Sequence, residues 1–427
     1  MKMEGNPVIC LAPMAGITDW PLRLLCYRMG ADYACSEMVS AIGLMCAKPG
    51  NDTYRRLLEV HPQEPNTACQ LFGKDPVVMG EAAARVTALG RFKTLDINMG
   101  CPARKVTSSG EGSALLLNPD KAYRVMEAVK RNTTLPVTVK TRLGYDEDSM
   151  NAIELGRAAE ALGLKWICFH GRTRRQQYAG TADYAAIGRL KAALRIPVIA
   201  NGDVFAPTDA VRILQETGAD GLMIGRGAMG NPWLFAKARQ ALRGEPVTEE
   251  TLGERIDTAI THARWMVDFK GERLGVMEMR KHVGHYISGL RGATAIRRQV
   301  NFATTLEQLT QQRAEAADPG TGSTTALPEY EQQLQALINQ LYAVKARAES
   351  SLNNTIQSAT AEYKALPAAK QTKSRKIAIV MGKASELKAM EASCDKEVDD
   401  IVNQMRALLT QNGQSTALAD EALAAYK

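Results

Sequence analysis

This 427-residue chain has no long apolar run. No window approaches the ~18 uninterrupted apolar residues that a membrane-spanning helix needs. The N-terminal stretch MKMEGNPVICLAPM carries an early glutamate and a short apolar run that leads straight into a Pro-Met-Ala-Gly turn. It lacks the longer apolar core and small-residue cleavage site of a secretory signal, so the cytoplasm is the expected compartment. Histidine is scarce, at five residues, and the eight cysteines stand singly at 10, 26, 35, 46, 69, 101, 168 and 394. With no CxxC and no His/Cys cluster, neither a metal site nor a disulfide framework is expected. Most of these thiols read as small buried packing residues. Also missing is a GxGxxG after the first strand-like run, which argues against a doubly wound dinucleotide-binding sheet.

The formal charge is +7, yet residues 327–427 hold twelve Lys and Arg against twelve Asp and Glu. The whole positive excess therefore lies in the first 326 residues. Hydrophobic residues at 45% and charged residues at 23% are ordinary for a globular chain, and the length predicts two or three folded units.

Eight short apolar runs recur at regular spacing: VICLAPM (8–14), DYACSEM (32–38), TACQLFG (67–73), TLDINMG (94–100), PVTVKTRLG (136–144), KWICFHG (165–171), IPVIANGD (196–203) and DGLMIGRG (220–227). Amphipathic stretches such as NPDKAYRVMEAVKRN and PTDAVRILQETG lie between them. Strand followed by helix, eight times over about 240 residues, predicts an α/β fold of the (β/α)8 TIM-barrel type. In such a barrel functional side chains gather where the strands end. Met14, Glu37, Gln70, Asn98, Lys140, His170, Asn201 and Gly225–Arg226 all fall there. Any one of them would be unremarked as a polar group satisfying its own turn; together they predict an active face.

Asn201-Gly202-Asp203 and Gly225-Arg226-Gly227 follow the seventh and eighth runs, where barrels commonly hold phosphate. Glycines let backbone N–H groups approach a phosphate, and Arg226 adds a charge-assisted donor; ordinary turn glycines are the plainer reading. Lys140 at the mouth needs a negative partner. A flavin supplies one at its pyrimidine edge, with Gln70 able to bond the same edge and Pro13-Met14-Ala15 forming a wall. A Schiff-base lysine is the rival, and it leaves Gln70 and Cys101 without a role. Cys101 lies on the loop after the fourth run, and a thiol with the usual pKa of roughly 8.5 keeps a proton to donate at neutral pH. Lys105 stands close enough in sequence to tune it.

PMAGITD (13–19), QLFG (70–73), DINMGCPARKV (96–106), KTRLG (140–144), HGRTR (170–174), ANGD (200–203) and GRGAMGNPW (225–233) stand in the order and spacing of one family. Over roughly residues 7 to 310 the chain resembles the bacterial tRNA-dihydrouridine synthases, and the B-type branch most. The resemblance implies FMN at the barrel mouth, NADPH as reductant, and reduction of the C5–C6 double bond of a uridine in tRNA. It implies hydride delivery from flavin N5 to C6 and protonation of C5 by Cys101. Cofactor contacts carry over to Pro13, Met14, Ala15, Gln70, Lys140, His170, Asn201, Gly202, Asp203, Gly225 and Arg226. Asn98 matches the residue beside flavin and substrate, and Lys105, Arg142, Arg172 and Arg174 are candidates for substrate or phosphate contact. A base paired in tRNA must flip out to reach such a site, and Tyr178 is either a wall of that pocket or a structural tyrosine.

The resemblance divides the chain into a catalytic barrel over 1–244 and a helical tRNA-binding domain over 245–313. Arg280, Lys281 and His282, with Arg297-Arg298, would face phosphates there. His285 is a departure, since related sequences place a tryptophan at that point. The Gly/Pro/Thr-rich stretch 314–327 predicts a linker. Residues 328–427 have no counterpart in the family and predict a helical hairpin or coiled coil serving protein contact or self-association. Two rivals remain on sequence grounds. One is an FMN oxidoreductase acting on a free pyrimidine, of the dihydroorotate or dihydropyrimidine dehydrogenase kind. The other is an RNA-binding protein on a catalytically dead barrel.

Overall fold

Parallel strands covered on both faces need continuous apolar runs, and that is how the eight segments are used. In the computed structural model, which describes residues 7–290, 293–311, 329–367 and 372–426, they form a closed barrel. The strands are β1 (Val8–Leu11), β2 (Tyr33–Ser40), β3 (Thr67–Phe72), β4 (Thr94–Met99), β5 (Val137–Arg142), β6 (Trp166–His170), β7 (Val198–Asn201) and β8 (Gly221–Ile224). Every neighbouring pair is parallel, and β1 closes on β8 with Val8 opposite Gly221. Closure requires that glycine: a Cβ at Gly221 would sit 2.4 Å from the Val8 carbonyl oxygen.

The interior of the barrel and the layer between strands and helices form separate apolar clusters. Cys10, Cys35 and Cys168 fill the interior with Tyr33, Trp166 and Met223, and the Tyr33 and Trp166 rings meet edge to face at 5.1 Å. Cys26 and Cys69 pack in the outer layer. Burial pushes the Cys69 and Cys168 thiols up to about 12, so these are inert packing groups. Helix starts follow local rules: Asp75, Asn118 and Asp183 side chains each accept a first-turn N–H.

After the barrel, helices Leu252–Lys270, Glu272–Tyr286, Ala293–Phe302 and Leu306–Gln311 gather around Met266, Val276, Met279, Tyr286 and Val300. The first two approach so closely that a Cβ at Gly275 would lie 2.7 Å from the Met266 carbonyl oxygen. Lys270 reaches back to the barrel, giving an ion pair of 2.6 Å to Asp19, the N-cap of helix Trp20–Arg28.

The chain divides into two compact units, Met1–Pro319 and Gly320–Lys427. The linker expected over 314–327 lies outside the described residues. In the second unit helices Glu329–Lys364 and Lys373–Gln411 pair as a hairpin, with Arg347 bonded to Glu397 at 2.6 Å. A third helix, Ala417–Tyr426, packs on the second through an Arg406–Asp420 ion pair, and the hairpin expectation did not include it. Among the described residues no helix is long and apolar enough to cross a membrane.

Candidate active site

The C-terminal ends of the strands open into a cleft of ≈ 560 Å³, within the range of about 300–1,000 Å³ usual for small-molecule sites. Pro13, Met14, Ala15, Gln70, Asn98, Cys101, Lys140, Arg142, His170, Asn201, Gly202, Asp203, Gly225 and Arg226 all line it. So does Tyr178, with the Arg226 guanidinium 4.4 Å from its ring centroid.

Each wall has a local cause. The turn after β1 is tied by Thr18, whose hydroxyl accepts the Met14 N–H at 2.9 Å and donates to the Met14 carbonyl at 3.2 Å. Glu37 accepts the Gly16 N–H from the neighbouring strand. Lys140, near the end of β5, donates to Asn201 Oδ1 at 2.9 Å, while Asn201 Nδ2 donates to the Met223 carbonyl at 2.7 Å. Gly202 has φ +125°, and a Cβ there would press on the His170 ring at 3.1 Å, so the backbone closes tightly only as glycine.

The Cys101 loop is anchored from both sides. Asn98 Oδ1 accepts the N–H groups of Gly100 and Cys101 at 3.1 and 2.9 Å. The Cys101 carbonyl accepts from Ser113 N and Oγ at 3.2 and 2.8 Å. The thiol itself stays half-buried at the rim.

Cations dominate this mouth. Burial lowers the Lys140 pKa, and it pushes Arg142 down to about 10. Burial first, then the charges of Arg142, Lys140, Arg172 and Arg226, drive the His170 pKa far below its ordinary value. His170 is therefore a neutral imidazole at the mouth. Its proton NMR shift should show no titration between pH 8 and pH 5. The sign for stability follows: below about pH 6.5 only the unfolded chain takes up that proton, so His170 lowers stability as the pH falls. A titration step near 6.5 for this ring would contradict the burial described.

Of the expected contacts, Arg172 and His282 are buried away from the cleft, while Arg142 and Asp203 line it with their charged ends already engaged. Arg172 is 1% exposed and does not line the cleft; it forks onto Asp203 at 2.7 and 2.9 Å and onto the Ala179 and Gly180 carbonyls. Arg142 borders the cleft, but its guanidinium is taken up by the Gly100, Thr173 and Gln177 carbonyls. Asp203 lines the cleft with its carboxylate turned to Arg172 and the Ala182 N–H. His282 is 1% exposed and meets His262 edge to face at 4.5 Å, so it cannot face a phosphate.

The remaining basic residues fall elsewhere. Lys105 is exposed beyond the cleft, on the short helix Arg104–Thr107. Arg174 bonds Thr107 Oγ at 3.2 Å and lies over Tyr145, bracing that helix from the β6 loop. Arg280 donates to the Ala303 carbonyl at 2.8 Å. Exposed Lys281 points toward the turn after β1, since a Cβ at Gly16 would lie 3.8 Å from its Nζ. Two groups escaped the sequence reading. Arg104 lines the cleft beside Cys101, and Asp96 lies fully buried beneath it. An acidic residue inside an otherwise apolar strand run was the available signal for Asp96.

Among the described residues no cluster of three His, Cys, Asp or Glu side chains could hold a metal ion. A parallel eight-stranded barrel with a cation-lined cleft and a tethered thiol at its C-terminal mouth defines a TIM-barrel enzyme. Residues 10–319 match the sequence model of the family described as dihydrouridine synthase (Dus). The chain belongs to that family. It is 43% identical over 304 residues to a probable tRNA-dihydrouridine synthase of Rhodobacter capsulatus, covering 71% of this chain and 92% of that protein. It is 41% identical to tRNA-dihydrouridine synthase B of Pseudomonas aeruginosa, covering 69% and 87% of the two chains. With tRNA-dihydrouridine synthase B of Vibrio cholerae the identity is 42%, over 72% and 94%.

Proposed function

We propose that this protein reduces uridine to dihydrouridine in tRNA, with FMN as the bound flavin and NADPH as reductant. The observation that carries the reading is Cys101, held by its backbone at the rim of a cleft whose walls are cationic. The residues fit a flavin phosphate and ring. Arg226 and the glycines 202 and 225 form a small-residue cradle, and a Cβ at Gly225 would come no closer than 3.7 Å to Ala12. Lys140 offers a donor to an electron-rich ring edge, and neutral His170 adds hydrogen bonding without charge.

When bound and reduced, the flavin supplies a hydride for C6 of the uracil ring. Cys101 gives its S–H proton to C5, so the double bond becomes single, and the thiolate regains a proton from water. Arg142 holds the Gly100 carbonyl and Asn98 the two following N–H groups, which keeps the thiol at a fixed height over the cleft. The base reaches this depth only by leaving the tRNA stack, and exposed Tyr178 and Arg104 stand where it enters.

On this reading Lys281 and Arg297-Arg298, on the helices that follow the barrel, contact the tRNA backbone, and the enzyme works in the cytoplasm with its substrate. The helical extension, balanced in charge, serves protein contact or self-association rather than RNA. Purified protein should show flavin absorbance and NADPH-dependent loss of uridine from unmodified tRNA. Absence of flavin, or turnover of free uracil but not tRNA, would refute the proposal.

A further inference from the structure

Beneath the cleft runs a chain of hydrogen bonds that the reaction above does not require but that ends on its proton donor. The Asp96 carboxylate accepts from Gln70 Nε2 at 2.7 Å and from the Thr138 hydroxyl at 2.6 Å. Gln70 Oε1 accepts from Asn98 Nδ2 at 2.9 Å, and Asn98 Oδ1 accepts the N–H groups of Gly100 and Cys101. A carboxylate can only accept, so Gln70 must turn its NH2 inward and its oxygen toward Asn98. Asn98 must then present its NH2 to Gln70 and its oxygen to the loop. One acceptor at the base of the barrel thereby sets the orientation of two amides and the seat of the Cys101 backbone.

We propose that Asp96 is a positioning residue: through Gln70 and Asn98 it fixes the loop that carries Cys101, and so the aim of the thiol. This rests on the function proposed above. The carboxyl is held by hydrogen bonds and not by a direct ion pair. It is fully buried, faced by Lys140 and Thr138 from β5, Gln70 from β3, Tyr33 and Cys35 from β2, Cys10 from β1 and Cys168 from β6. Lys140, the one cation among these, donates to Asn201, and burial pushes the Asp96 pKa up to about 6. A buried carboxylate without a direct ion pair carries a desolvation cost, and here its hydrogen bonds to Gln70 and Thr138 offset it.

The test compares Asp96→Asn, Asp96→Leu and Gln70→Met. Asparagine keeps an acceptor for Gln70 and donates to Thr138, whose hydroxyl turns to the Leu95 carbonyl, already 3.4 Å away. The relay survives in that variant and fails in the other two. The first readout needs neither flavin nor tRNA: the rate at which iodoacetamide alkylates Cys101, followed by peptide mapping to separate it from exposed Cys46. Asp96→Leu and Gln70→Met should be alkylated about five-fold faster, the shift that losing one buried hydrogen bond allows, while Asp96→Asn matches the unaltered protein. In turnover, Asp96→Leu should lose about 10²-fold in kcat with little change in KM, and Asp96→Asn should retain most activity. Recovery of both the alkylation rate and kcat in Asp96→Asn, beside their change in Asp96→Leu, sets a positioning role apart from a merely structural one. Should Asp96→Leu fail to fold, Gln70→Met carries the alkylation comparison. Equal alkylation rates across all variants would overturn the relay. An unaltered protein that reduces no tRNA would instead refute the proposed function, and the alkylation arm would still judge the relay.

Discussion

Cys101→Ala is expected to bind flavin and accept electrons from NADPH as the unaltered protein does, while tRNA reduction falls by about 10²–10⁴-fold. The selectivity of that loss comes from how the loop is built. Its backbone is secured by Asn98 on one side and Ser113 on the other, through groups that do not involve the thiol. Gly112, at φ +58°, packs so close that its Cβ would lie 3.0 Å from the Cys101 carbonyl oxygen, which fixes the loop further. Removing Sγ therefore takes away an acid and leaves its seat intact. Cys101→Ser tests the acidity itself, since a hydroxyl of the same geometry holds its proton far more tightly than a thiol and should rescue little. The measurement is single-turnover oxidation of the reduced flavin by tRNA, with flavin content checked by absorbance. Oxidation at the unaltered rate in Cys101→Ala would remove this residue from the chemistry.

The barrel was legible because parallel strands buried on both faces leave unbroken apolar runs, each ended by glycine or a polar residue at the active rim. Lys140, His170, Asn201 and Cys101 could be placed on that rim by position along their runs alone. What the sequence could not tell was which way an arginine turns. Arg142 and Arg172 sit in motifs facing the mouth, yet the carbonyls of Thr173, Gln177, Ala179 and Gly180 capture them. Those acceptors belong to the loop after β6, whose path exists only once the barrel has closed. His282 illustrates the same limit: it follows two basic residues in sequence, but the pitch of the helix turns it inward against His262 while Lys281 stays outside. Asp96 was passed over for the opposite reason. It stands inside a strand run, short of the rim where functional groups were sought, and only its partners on β3 and β5 make it the floor of the site.

Arg23→Met should destabilise the first unit by about 3–5 kcal/mol, the usual penalty for stranding one member of a buried ion pair. Arg23 and Glu64 are 2% and 6% exposed, joined by a two-pronged contact of 2.7 and 3.0 Å. Methionine keeps much of the volume, so the loss is not one of packing: the Glu64 carboxylate stays behind without its cation, accepting from the Thr67 hydroxyl and the His61 N–H. The effect reaches the cleft as well. Arg23 also donates to the Thr18 carbonyl at 2.8 Å, and Thr18 is the residue whose hydroxyl ties the Met14 turn. Asp19, next in the chain, anchors Lys270 of the following helical region. One buried guanidinium therefore supports both the wall of the flavin cleft and the contact that holds the helices to the barrel. Urea unfolding should show the lowered midpoint, and flavin affinity measured well below that midpoint should fall too. If stability drops while flavin affinity stays unchanged, the Met14 turn is held by its own hydrogen bonds and not by Arg23. Glu64→Gln separates the charge from the shape. It removes the buried negative charge at nearly constant volume and turns one of the two accepting oxygens into an NH2 donor, while Arg23 retains the Thr18 and Glu59 carbonyls as acceptors, so stability should again fall although little volume is lost.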